Sequence, residues 1–441
     1  MRRPLAPPGT RYHLQGVAVR ATIISTGEEL VRGHSMDTNG PFVAGELMRH
    51  GFEVRRLVII GDDPKALEEE ILSAVRDSRA IVISGGLGPT ADDRTRQAIA
   101  AAVGETLVED AESRRHVEER LRSFGRSMTD RHLSQARFPS GSVVFPNPRG
   151  SARGFACRRE DAWVVAMPGV PSEMLPMFSE SVLPFLVEKL APGIHVRSET
   201  VHLFPAPESA VDERIPDLTP LGRNPTVGMT VKDGVVSVSV LAQAREEREA
   251  ERLLAQDVAV LKDRFGDFLF GIGNATLASA LSDLLEQRGL TIGVAESVTG
   301  GLIGHMLVDV PGISRFFLGD VVAYSNEAKV RQLGVPLEQL EEHGAVSPEV
   351  AESMARGICA AVGSDLGVST TGIAGPTGGS KEKPVGLVYV AVCLRGAVKV
   401  ARLNIRGNRW QVKDRAAKHA LNLARLSVLK GVESLEPDRT M

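Results

Sequence analysis

The chain has 441 residues, 43% hydrophobic and 4% aromatic, with 52 lysines and arginines against 55 aspartates and glutamates for a net charge of -3. That balance leaves no electrostatic case for direct nucleic-acid contact or for an anionic membrane, and so few aromatics leave little material for base stacking. Cys157, Cys359 and Cys393 are odd in number and far apart, which argues against a disulfide framework and CxxC-type sites and fits a reducing cytoplasm.

The length predicts about three domains. Residues 1–19 carry arginines with no apolar core behind them, so they read as a disordered extension and not as a signal peptide; no later apolar run is long enough to span a bilayer. From Val17 short apolar strands alternate with amphipathic helices, which predicts βαβ units and a mostly parallel sheet over 20–190. Its densest turn chemistry is SGGLGPTADD, Ser84 to Asp93, between the strand AIVIS and a helix around Ala98, Ile99 and Val103. Ligands bind open parallel sheets at the carboxyl ends of strands, so this loop is where a site is expected.

Over 194–270 the predicted order is βαββαβ, a small α+β domain of split βαβ, ferredoxin-like type, with Asp233-Gly234 as its hairpin turn. It shows no catalytic constellation and reads as a connector or dimerisation module. A second α/β domain occupies 274–435, opening with the Leu277, Leu281, Leu284 and Leu285 stripe; its strands near Gly386 to Ile405 are expected to be antiparallel because only a tight turn separates them. The fold class is thus α/β, two three-layer α/β domains joined by a small α+β domain.

Chemistry concentrates in this last domain. AESVTGG, Ala295 to Gly301, sets Ser297 between a strand end and a glycine-rich helix start, beside helix N–H groups that can receive a phosphate or an oxyanion. Two readings stay open: a nucleophile, or Ser297 or Thr299 serving as an N-cap. Neither His305 nor His343 has an obvious carboxylate partner, whereas AYSNEAK places Lys329 in a helix first turn, where the dipole disfavours an ammonium; it is either a base or a solvated lysine. Tyr324, expected to close the preceding strand, could relay a proton. TTGIAGPTGG, Thr370 to Gly379, is expected to bring backbone donors to the same sheet end, or to be a plain flexible loop, and RGNRWQVKDR sets cations against a helix dipole, an arrangement suited to phosphate.

With AESVTGG, AYSNEAK, EEHGAVS, TTGIAGPTGGSKEKPVG and RGNR in this order, the chain resembles the competence/damage-inducible CinA family from about Arg20 to Leu429. The resemblance implies a nicotinamide mononucleotide amidase that needs no cofactor, with Ser297 as nucleophile, Lys329 as base and Tyr324 assisting. Thr299, Gly300, Ser314, Thr371, Gly372, Gly375, Arg409 and Lys413 are the implied substrate-binding residues. Val298 replaces the family's common cysteine, which leaves the Ser297 hydroxyl as the nucleophile, and Lys413 replaces an arginine, which keeps charge but loses the bidentate fork.

The first domain is similar to molybdopterin-binding folds through TGEEL, DTN, GDD and SGGLGPTADD. What this implies is an ADP-ribose pyrophosphatase that uses a divalent metal such as magnesium. Gly85, Gly86, Gly88, Thr90 and Asn39 would hold ADP-ribose, and Asp92 and Asp93 the metal, although an acidic residue at a helix start also accounts for Asp93. The implied setting is a cytoplasmic homodimer without nucleic-acid or membrane partners. The alternatives are a molybdenum-cofactor adenylyltransferase-like enzyme and a non-enzymatic nucleotide-binding adaptor in competence or repair.

Overall fold

The computed structural model describes residues 19–125 and 127–434, so the expected N-terminal extension lies outside the described residues except for Val19. The chain divides into two compact units, one of residues up to Arg197 with Ala242–Leu253, the other of Ser198–Leu241 with Leu254 onward.

In the first unit the βαβ alternation becomes β1 (Val19–Thr26), β2 (Phe52–Ile60) and β3 (Ala80–Ser84), followed by the short pair β4 (Leu107–Glu109) and β5 (Arg137–Pro139), then β6 (Val143–Phe145), β7 (Gly154–Arg159) and β8 (Ala162–Met167). The main sheet runs β2-β1-β3-β8-β7-β6, with β2, β1, β3 and β8 parallel and β7 and β6 antiparallel. β3 is buried along its whole length, as expected of a central parallel strand that has helices on both faces. The Asn39–Arg49 and Leu183–Leu190 helices supply Val43, Leu47, Leu183 and Leu186 to one core, while Pro64–Val75 and Thr95–Val103 supply Leu67, Ile71, Ala98 and Ile99 to the other. Chain reversal from β3 into Thr95–Val103 passes through Gly85 and Gly86 at φ 115 and 65, a backbone region open mainly to glycine.

The small domain comprises β9 (His195–Leu203), β10 (Thr226–Lys232), β11 (Val235–Ala244) and β12 (Leu269–Ile272) in the order β10-β11-β9-β12, with helix Glu247–Phe265 between the last two strands in sequence. This is the expected split βαβ order. Asp233 and Gly234 both have positive φ, the geometry of a type I′ hairpin turn.

The last domain has the order β14-β13-β15-β16-β17, formed by β13 (Ile292–Glu296), β14 (Phe317–Val322), β15 (Leu366–Gly372), β16 (Leu387–Leu394) and β17 (Ala397–Asn404). β13 is parallel to β14 and β15, while β16 and β17 are antiparallel, as their tight turn requires. Leu277, Leu281 and Leu285 join Ala416, Ala420 and Ala424 of the 22-residue helix Arg409–Lys430 beneath one sheet face; Val350, Met354 and Ile358 of Pro348–Val362 cover the other. Ser347 caps Pro348–Val362 through a bond from Val350 N at 3.3 Å, with proline at the first helical position as its sequence predicts.

Candidate active site

Ser297 directly follows β13, at the carboxyl end of the parallel strands, and its N–H donates to Thr370 O at 3.0 Å. The serine is not a cap. Helix Leu302–Val308 begins five residues later with Gly301 at its N-cap and no side-chain cap, so the N-cap reading of Ser297 and Thr299 falls. Thr299 is fully buried instead, sharing a hydrogen bond with Thr370, Oγ1 to Oγ1, at 2.7 Å. The expectation that this helix start offers free donors to a ligand is narrowed by two amides. Glu296 takes the Gly301 and Gly304 amides on its two carboxylate oxygens, each at 2.8 Å.

Lys329 reaches the serine. It lies on the helix Asn326–Leu333, whose N-cap Ser325 accepts from Ala328 N at 3.1 Å, and only 1% of the lysine is exposed. Its Nζ lies 3.2 Å from Ser297 Oγ, 2.8 Å from Ala323 O and 3.4 Å from Tyr324 O. Burial disfavours the ammonium and pushes the pKa of this amine below its ordinary value. A lysine of this kind, in contact with a hydroxyl, can remove its proton.

Around this pair the structure gathers several of the expected residues. Arg409 Nη1 donates to Gly375 O at 2.8 Å and Nη2 to the Tyr324 hydroxyl at 3.2 Å, which links the glycine loop to the segment leading into the lysine helix. Lys413 Nζ is near Gly300: a Cβ built on that glycine would stand 3.7 Å from it. Gly372 ends β15 beside the same loop.

Three expectations change. β14 ends at Val322, so Tyr324 follows the strand and does not close it; Tyr324 is 64% exposed and its hydroxyl accepts from Arg409 Nη2. Thr371 Oγ1 donates to Ala345 O at 2.6 Å, a bond that ties down a loop on the buried side of the strand. Ser314 precedes β14, whose first residue Phe317 pairs with Ile292 at the start of β13, whereas Ser297 follows the end of β13. Within one chain Ser314 is therefore at the opposite end of the sheet from Ser297, roughly 15 Å away along the strands.

In the first unit a cavity of ≈ 550 Å³ opens at the carboxyl ends of β1 and β3, lined by Asn39, Gly85, Gly86, Gly88 and the pair Asp92 and Asp93 among others. Asn39 Nδ2 donates to Ser84 Oγ at 2.9 Å and to Gly169 O at 2.7 Å, which ties the walls together, while its Oδ1 has no hydrogen-bond partner among the described residues. Asp93 Oδ1 accepts from Gly88 N and Oδ2 from Thr90 N, both at 2.8 Å, with the Thr90 hydroxyl as a third donor. Asp93 is thus the clasp of the glycine loop. Sequence reasoning passed over Gln135, Asp37, Asp62 and Glu173, which also line the cavity; of these, Asp37 and Asp62 stand in the quoted DTN and GDD motifs, where they could have been found.

The lining holds six carboxylates, Glu29, Asp37, Asp62, Asp92, Asp93 and Glu173, and among the described residues no lysine, arginine or histidine. No group of three or more His, Cys, Asp and Glu among the described residues is arranged to hold a metal ion.

Fold and site together define a multidomain α/β protein with a serine–lysine pair in its last domain. Three family profiles cover it in sequence: "Probable molybdopterin binding domain" over 22–188, "Damage-inducible protein CinA KH domain" over 198–271 and "CinA C-terminal domain" over 274–428. The chain belongs to the CinA family. It is 42% identical over 405 residues to a competence-damage inducible protein of Moorella thermoacetica, covering 92% of this chain and 98% of that one. It is 38% identical over 411 residues to a CinA-like protein of Dictyoglomus thermophilum, covering 93% and 100%. A crystal structure of a competence/damage inducible protein from Agrobacterium tumefaciens matches 35% of this chain and 94% of its own length at 36% identity and a TM-score of 0.34. Although the middle profile is named for a KH domain, residues 198–271 contain no GxxG, the spacing with which KH domains clamp a nucleic-acid backbone.

Proposed function

We propose that the last domain is an amidase that hydrolyses the carboxamide of nicotinamide mononucleotide to nicotinate mononucleotide and ammonia. The observation that carries this reading is the 3.2 Å approach of a buried lysine amine, Lys329, to Ser297 Oγ. The neutral amine takes the hydroxyl proton as Oγ attacks the carboxamide carbon, then returns it to the departing nitrogen, which leaves as ammonia. Water, deprotonated by the same amine, attacks the acyl ester on Ser297 and releases the acid. Arg409 and Lys413 supply positive charge for the substrate phosphate, with Arg409 offering the planar fork. Ammonia release from nicotinamide mononucleotide tests the reading: Ser297→Ala is expected to abolish it while the fold, followed by circular dichroism, is kept. Full activity in that variant sinks the serine assignment.

The cavity over Gly85, Gly86 and Gly88 supports a second reading, an ADP-ribose pyrophosphatase in the first domain. An anionic ligand entering a lining of six carboxylates has to bring counter-charge with it. Purified, dialysed protein is accordingly expected to retain no stoichiometric divalent ion, and ADP-ribose hydrolysis to depend on ion added with the substrate. Hydrolysis that survives a chelator would overturn this account of the pocket.

A further inference from the structure

Two carboxyl groups behind the Ser297 turn take no part in the chemistry proposed above. Glu296 is fully buried, and its carboxylate receives the amides of Gly301 and Gly304. Asp320 on β14 pairs with Val294 in the parallel register, so its side chain shares a sheet face with Val294 and Glu296. Helix Leu302–Val308 lies over that face. Gly304 is what lets it approach, since a Cβ there would collide with Asp320 Oδ2. Asp320 Oδ1 is buried and has no hydrogen-bond partner among the described residues, which is rare for a buried polar atom.

We propose that Glu296 and Asp320 are positioning residues that hold one proton between them: Asp320 donates it to Glu296, and Glu296, fixed in this way, clamps Gly301 and Gly304 and sets the turn that carries Ser297. Two adjacent carboxyls, one fully buried and the other half-buried, cannot both ionise cheaply. Burial, the charge of Glu296 and a hydrogen bond with Glu296 together raise the Asp320 pKa to about 8. Neighbouring charges are engaged elsewhere. On the covering helix His305 pairs with Asp309 at 3.9 Å, both exposed; Arg315, before β14, pairs with Glu286 at 2.8 Å; the Lys329 amine is turned to Ala323 O and Ser297; and Lys413 of Arg409–Lys430 stands beside Gly300. The clamp serves the serine directly, because Glu296 precedes Ser297 and Gly301 ends the same turn.

The inference rests on Ser297 being the nucleophile, and the test separates the two claims. Asp320→Leu, which fills the volume without a donor, is expected to lower kcat for ammonia release on the order of 10²-fold with KM within about twofold, the signature of a misplaced nucleophile. Asp320→Asn, which restores a donor to Glu296, is expected to recover most of that loss. Infrared difference spectroscopy of the full chain is expected to show a protonated-carboxyl stretch near neutral pH that fades above about pH 8 and is missing from Asp320→Asn. Wild-type kcat in Asp320→Leu, or the same infrared band in Asp320→Asn as in the unaltered chain, overturns the proposal. If the unaltered protein releases no ammonia, the amidase reading fails by itself; the clamp is then judged on the infrared band and on the rate at which a fluorophosphonate labels Ser297.

Discussion

Lys329 Nζ lies 3.2 Å from Ser297 Oγ while it also donates to Ala323 O at 2.8 Å, so the base is aimed by a backbone carbonyl that belongs to the segment just before its own helix. The lysine arises from Asn326–Leu333 and the serine from the end of β13, and the parallel pairing of β13 with β14 brings the two segments together.

The free amine is the working form, and burial lowers its pKa from 10.5. The rate of ammonia release is therefore expected to rise with pH through that lowered pKa and to level off above it. The same shift acts on stability: between the lowered folded pKa and 10.5 the unfolded chain holds the extra proton, so the contribution of Lys329 to stability rises with pH across that window. A pH–rate profile checks the first expectation. Lys329→Met is expected to lower kcat on the order of 10³-fold, and adding Ser297→Ala to cost little more, because the two act as one unit.

Tyr324→Phe is expected to lower kcat by less than about tenfold, since its hydroxyl rests on Arg409 at an exposed position; a loss on the scale of general acid–base catalysis, about 10²–10⁴-fold, would restore a proton-transfer role. Steady-state kinetics of the single variant decides between them.

Arg409→Ala is expected to raise KM for nicotinamide mononucleotide by about ten- to a hundredfold, the usual worth of a charge-assisted contact. The same variant is expected to leave turnover of the riboside, which lacks the phosphate, much less affected. Equal losses on both substrates would make Arg409 a brace for the Gly375 loop instead.

Asp320 gives a pH signature of opposite sign. Its folded pKa of about 8 lies above its ordinary 3.8, so between these values the native chain holds one more proton than the unfolded chain and stability falls as pH rises, levelling off above about 8. Thermal unfolding followed from acid to mildly alkaline pH is expected to show this slope in the unaltered protein and a flatter one in Asp320→Asn.

In the first unit Asp93→Ala is expected to destabilise by about 1–3 kcal/mol through loss of the bonds that close the Gly88–Thr90 turn, measured by denaturant unfolding.

Much of this architecture is legible in the chain because it is local. Alternation of strand and helix patterns, Asp233-Gly234 at the hairpin and Ser347-Pro348 at a helix start all depend on residues within a few positions of one another. Ser297 and Lys329 are legible for the same reason, each being marked by its own short segment. What was missed depends on register. Glu296 and Asp320 meet only because Val294 pairs with Asp320, and Ser314 misses the site only because Phe317 pairs with Ile292; nothing within either segment encodes that alignment. The loop-closing bonds of Asp93 were not legible for a different reason: an aspartate that closes its own loop and one that holds a metal look alike until the Gly88 and Thr90 donors are seen pointing at it.

The helix Arg409–Lys430 begins with Arg409 and Lys413 at the candidate site and further along anchors the small domain, with Lys418 donating to Asp233 O at 2.9 Å, His419 edge-on to Phe204 and Arg425 donating to Asp267 O at 2.6 Å. Dissection at the profile boundary near 274 would leave at least four of its side chains, Lys418, His419, the mostly buried Arg425 and Lys430, which pairs with Asp267, without the neighbours they hold in the full chain. A fragment for studying the serine–lysine pair accordingly begins no later than His195, the first residue of β9, with the small domain attached.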